Sequence, residues 1–259
     1  KDLDLEVYRR WPGIHSDAVK DVLVLPGETR IVTCSLDTNV MELELERDFH
    51  VVHSAHKSGV HSLAYNDDFR LIFSAGFEYH VNCWVVGQAH SAPTRLEDPA
   101  CPHAAPLLGV QVVPGTPQLL TVDAQGLAKV WDLRMLRAVH TFNVQRTEGT
   151  SAVSASGTQA QEVYHSFAFM PECQILCCNS NKDSYLYEYQ GMEIQSEPLK
   201  VHGDLAPMVA CELHEASATV VTAAGTDLAL FDTRTGVMKR LMPAAIADDI
   251  SCLHVNAAG

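Results

Sequence analysis

The stretch His56-Lys57-Ser58-Gly59-Val60-His61-Ser62-Leu63-Ala64-Tyr65, followed by Leu71-Ile72-Phe73-Ser74-Ala75-Gly76 and Val81-Asn82-Cys83-Trp84, decides the fold. It holds three short runs rich in β-branched, aromatic and small apolar residues, separated by polar or glycine punctuation, which reads as three consecutive strands. The same order returns in Leu108-Gly109-Val110-Gln111-Val112, then Gln118-Leu119-Leu120-Thr121, then Ala128-Lys129-Val130-Trp131-Asp132-Leu133. In both units the tryptophan stands ten positions after a Ser or Thr: Trp84 after Ser74, and Trp131 after Thr121. Ten positions after Thr33 stands Leu43, within a weaker unit of runs at 19–25, 31–35 and 40–45. Two further units follow, at 166–170, 175–178 and 185–189, and at 208–213, 219–223 and 228–232.

The third-run markers Leu43, Trp84, Trp131, Tyr187 and Phe231 lie 41, 47, 56 and 44 residues apart. That period fits the roughly 40–45-residue blade of a WD-type β-propeller. The two long intervals contain the Ala/Pro/His stretch 88–106 and the Ser/Ala/Gly/Thr stretch 145–161, both read as loops inserted between blades. A parallel α/β fold would need amphipathic helices in these gaps, and none shows a 3.6-residue apolar period. The expected architecture is all-β: about five complete blades at 12–50, 51–96, 97–144, 145–197 and 198–243. Part-blades are expected at 1–11 and 244–259, where Val7-Tyr8-Arg9-Arg10-Trp11 resembles an outer strand and the run 250–255 an inner one. Such ends are expected either to meet and close a ring or to mark a piece of a longer chain, and the missing initiator Met reads as a fragment or a processed chain.

In WD repeats a His ahead of the first strand, a Ser/Thr on the second, an Asp in the following turn and a Trp on the third form a buried hydrogen-bonded set. An unpaired member costs about 1–3 kcal/mol, so the set must be complete to be useful. The first unit supplies His15, Thr33 and Asp37 but has Leu43 in the tryptophan position. The second supplies His56, Ser74 and Trp84, with Glu78 for the aspartate. The third supplies His103, Thr121 and Trp131, with Gln125 at the matching offset. With no unit carrying all four, packing is expected to hold most blades.

The chain has 259 residues, 47% of them hydrophobic, and a formal net charge of −14, a balance that disfavours nucleic acid and anionic membrane surfaces as partners. No apolar run is long enough to span a bilayer, and the first residues form no signal-peptide core. The eight cysteines are scattered with no Cys-x-x-Cys pair, which reads as free thiols in an intracellular protein. Thirteen histidines raise the question of a metal: His53 and His56, and Cys211 and His214, stand three apart, and Cys101 and His103 share a loop. Strand alternation is expected to put such i,i+3 partners on opposite faces, and no second pair completes four ligands. The loop around Ser151–Ser156 lacks the ending of a phosphate loop, Asp248-Asp249 reads as a turn, and no Gly-x-Ser-x-Gly elbow occurs. No cofactor and no catalytic residue are therefore assigned. Trp131-Asp132-Leu133-Arg134 and Phe231-Asp232-Thr233-Arg234 share an aromatic-Asp-x-Arg pattern. That pattern resembles the motif by which some WD-repeat proteins dock on cullin-ligase adaptors through residues such as Arg134 and Arg234; pairing of Asp and Arg within the blade is the plainer reading.

Residues 59–65, 69–77, 109–121 and 130–134 together resemble the large WD-repeat proteins associated with cilia and flagella, relatives of the WD repeat-containing protein on the Y chromosome. Val220-Val221-Thr222-Ala223-Ala224-Gly225 and Gly236 fit the same group. The resemblance implies a non-catalytic scaffold built from tandem propellers, cytoplasmic and axonemal, with axonemal or microtubule-bound proteins as partners. No EF-hand loop is present, so calcium is not carried over. The alternatives are a substrate receptor of a cullin-type ubiquitin ligase and, outside binding proteins, a propeller hydrolase.

Overall fold

A computed structural model describes residues 10–27, 29–47, 49–88, 91–144, 163–170, 174–180, 184–190, 193–194, 199–201, 208–214, 219–224, 226–232, 235, 237–248 and 250. Among them there are strands and turns and no helix, and the strands form antiparallel sheets in consecutive order. The chain divides into two compact units, Lys1–Leu96 and Glu97–Gly259.

The first unit contains two four-stranded sheets. One is β1 (Val19–Val24), β2 (Arg30–Ser35), β3 (Val40–Glu44) and β4 (His50–His53), paired in that order. The other is β5 (Val60–Asn66), β6 (Leu71–Gly76), β7 (Val81–Val85) and β8 (Thr94–Leu96). Their facing sides share one core, in which Leu25, Val32, Cys34 and Val40 meet Val60, Leu63, Ile72 and Trp84. Because both faces of the middle strands are covered, β2 and β6 run nearly uninterrupted in apolar or small residues rather than alternating. Gly76 ends β6 where a Cβ atom would strike the Gly59 carbonyl, so only glycine lets the two strands approach there.

Polar links cross between these sheets, through Asp21 and Glu42. Asp21 on β1 accepts the Leu63 amide of β5 at 2.8 Å. Glu42 on β3 accepts the Gly87 amide at 2.9 Å and the His53 Nε2–H at 2.7 Å.

Among the described residues the second unit holds three sheets, which are the third, fourth and fifth along the chain. β9 (Leu107–Val113), β10 (Gln118–Asp123), β11 (Leu127–Asp132) and β12 (Arg137–Asn143) form the first. β13 (Tyr164–Met170), β14 (Ile175–Ser180) and β15 (Ser184–Gln190) form the second, whose outer position is shared by β16 (Glu193–Ile194) and β17 (Leu199–Val201), each paired to β15. β18 (Met208–His214), β19 (Thr219–Ala224), β20 (Asp227–Asp232) and β21 (Met238–Met242) form the third. A core of Val122, Val130, Tyr164, Leu176, Tyr185 and Tyr187 joins the first two. Gly126, at φ +82°, opens the β10–β11 turn, and a Cβ there would lie 2.5 Å from the Tyr164 ring that packs on it. Tyr187 donates to the Val144 carbonyl, Tyr189 to Gln118 Oε1, and the Phe169 amide to Gln111 Oε1 at 2.6 Å.

Several expectations shift. The stretch 88–106 is not simply a loop, since β8 lies inside it as the outer strand of the second sheet and His103 leads into the third. β4 carries the first sheet through His53, past the boundary drawn at 50, because its pairing to β3 continues to the partnership of Val40 with His53. β17 pairs with β15 and so extends the fourth sheet past 197. The stretch 145–161 lies outside the described residues. So do 1–9 and 251–259, on which most of the expected part-blades fall, while 244–248 form turns rather than a strand.

Candidate functional site

The third sheet holds a complete four-member polar set. Trp131 Nε1–H donates to Thr121 Oγ1 at 2.9 Å, and Thr121 lies 2.9 Å from His103 Nε2. His103 Nδ1 lies 2.9 Å from Asp123 Oδ2. The carboxylate can only accept, which puts the histidine proton on Nδ1 and leaves Nε2 to accept the threonine hydroxyl. The aspartate is Asp123 at the end of β10, not a residue at position 125 as the spacing implied. The reading that no unit carries all four members is overturned with it. Asp123 Oδ1 also accepts the Gln125 and Leu127 amides at 3.0 and 2.9 Å, so this turn is wrapped around the carboxylate itself.

The second sheet reaches the same end with a longer acid. Trp84 Nε1–H donates to Ser74 Oγ at 2.8 Å, and Ser74 lies 2.7 Å from His56 Nε2. His56 Nδ1–H donates to Glu78 Oε2 at 2.5 Å. Burial holds the His56 pKa below its ordinary value, against the pull of Glu78, so the imidazole is neutral at physiological pH. Burial alone would raise the Glu78 carboxyl, but the Lys57 amide and His56 outweigh it and the net shift is downward. Asn82, fully buried, adds an amide 3.1 Å from His56 Nε2. In the first sheet, His15 lies 2.8 Å from Thr33 Oγ1 and 2.9 Å from Asp37 Oδ2, and Leu43 fills the tryptophan position as a buried apolar side chain.

Hydrogen bonds are thus consumed inside the blades, and packing outweighs them. Fully burying Phe73, Ile72 or Val32 contributes about 1.5–3 kcal/mol each, against about 1 kcal/mol net for one hydrogen bond.

His53 and His56 both lie against the Trp84 ring, at centroid distances of 4.7 and 6.4 Å, rather than on opposite faces of one strand. The chain turns between β4 and β5, so strand alternation does not apply across them. Nε2 of His53 serves Glu42, and both nitrogens of His56 are engaged.

Asp132 and Arg134 form a fork within the β11–β12 turn, with Nε 3.0 Å from Oδ1 and Nη2 2.6 Å from Oδ2. The Arg134 side chain nevertheless stays 58% exposed. In the fifth sheet Phe231 is fully buried, while Asp232 pairs with Lys239 at 2.9 Å and accepts the Thr235 amide. Arg234 lies outside the described residues.

Four features escaped sequence reading. Asp123 was missed because only the strand end, not a fixed offset, identifies it. The Glu42–His53 pair and the Lys129–Asp98 pair link residues whose partnership no local pattern announces. The exposure of Phe77 and Tyr79 in the β6–β7 turn has no local signal in the sequence.

The WD domain, G-beta repeat family model matches residues 49–84. That span runs from just before β4 through β7, so the sequence repeat is offset by one strand from the sheet: it starts on the outer strand of one blade and ends on the third strand of the next. Cilia- and flagella-associated protein 337 B of Tetrahymena thermophila is 24% identical over 257 residues, covering 98% of this chain and 19% of that protein. Cilia- and flagella-associated protein 52 is 27% identical over 128 residues in Macaca fascicularis, covering 48% of this chain and 20% of that protein. In Mus musculus it is 30% identical over 94 residues, covering 36% and 15%. The chain spans about a fifth or less of the length of these relatives. It carries a WD40 repeat domain, and its similarity is to cilia- and flagella-associated proteins.

Proposed function

We propose that this chain is a non-catalytic interaction scaffold of a ciliary or flagellar axonemal assembly, holding other axonemal or microtubule-associated proteins on its blade surfaces. The observation that carries this reading is the similarity to a cilia- and flagella-associated protein along 98% of the chain rather than within one repeat. The blades support it physically: in the second and third sheets along the chain the buried His, Ser/Thr and carboxylate of each polar set satisfy one another, so their chemistry is spent on holding turns. What remains for a partner is the outer surface of rigid sheets.

The test is a tagged full-length protein expressed in a ciliated cell, followed by isolation of cilia and detergent extraction. The protein should stay with the extracted axoneme and copurify with tubulin- or dynein-associated proteins. Recovery only from nuclear or ribosomal fractions would sink the assignment. The exposure of Arg134 favours a second reading, a ligase receptor. Its signature would be copurification of the cullin-ligase adaptor, abolished by Arg134→Ala and Arg234→Ala.

A further inference from the structure

We draw no further inference here: the strongest candidate, the surface patch of β1 where Val19, Val22 and Val24 are exposed although the matching strands β5 and β9 expose none of their residues, carries nothing because nothing in the structure shows what covers it.

Discussion

Lys129 Nζ lies 2.7 Å from Asp98 Oδ2, and the lysine side chain has no solvent exposure at all. Lys129 sits on β11, in the middle of its sheet, and also reaches Thr141 on β12 at 3.1 Å. Asp98 belongs to the segment that leads to His103, so the pair fastens that approach to the sheet it serves. Hydrogen bonding from Lys129 holds the Asp98 carboxyl below its ordinary range. Removing one partner of a buried pair strands the other charge; Asp98→Ala strands the fully buried Lys129, whereas Lys129→Met leaves Asp98, which keeps some contact with solvent. Asp98→Ala should therefore cost about 3 kcal/mol in chemical denaturation, and Lys129→Met markedly less. Since the folded pKa of Asp98 is depressed, its contribution is present above the unfolded carboxylate value and is lost as pH falls through the folded one. The stability gap between parent and Asp98→Ala should accordingly narrow in acid.

Thr121 bridges two donors or acceptors at once, Trp131 and His103, whereas Thr33 bridges only His15 because Leu43 replaces the tryptophan. Thr121→Val strands two buried groups and Thr33→Val one. With about 1–3 kcal/mol per stranded group, the first substitution should lower stability by roughly twice as much as the second. Equal losses would show that the sets are not wired as described.

Burial raises the pKa of Asp21 despite the amides of Leu63 and Val22, which pull the other way. A raised folded value means that the protonated form is favoured by folding. The stabilisation it brings is full below the unfolded value and is lost as pH rises through the folded one. Asp21→Asn keeps an acceptor for Leu63 without a charge to desolvate. It should be at least as stable as the parent at pH 7 by denaturant titration, with the advantage disappearing below about pH 4. A large loss at neutral pH would contradict this account.

Burial pushes the thiols of Cys34 and Cys83 up to about 12, and Cys177 and Cys178 are also buried, whereas Cys101 is exposed. Thiolate is the reacting species, so alkylation of the native protein followed by mass spectrometry should mark Cys101 long before these four. They should become reactive together once denaturant unfolds the sheets.

The repeat itself was legible in sequence because it is written locally. Strand runs and the ten-residue step from Ser74 to Trp84 and from Thr121 to Trp131 follow from pleat, turn and blade width, all short-range properties. Apolar runs in β2 and β6 likewise announced strands covered on both faces. Where a sheet ends was less legible, since β4 and β8 are short outer strands whose membership depends on pairing with β3 and β7. Which acid completes a polar set was decided by three-dimensional reach. Glu78 lies four residues past Ser74 and Asp123 only two past Thr121, yet both carboxylates meet the Nδ1 of their histidine. The pairs Lys129–Asp98 and Glu42–His53, and the outward turn of Phe77 and Tyr79 around an inward Glu78, belong to tertiary structure alone. The reason is physical: periodicity encodes which face of a strand is apolar, but a hydrogen bond between separate segments exists only once packing has brought its two ends together.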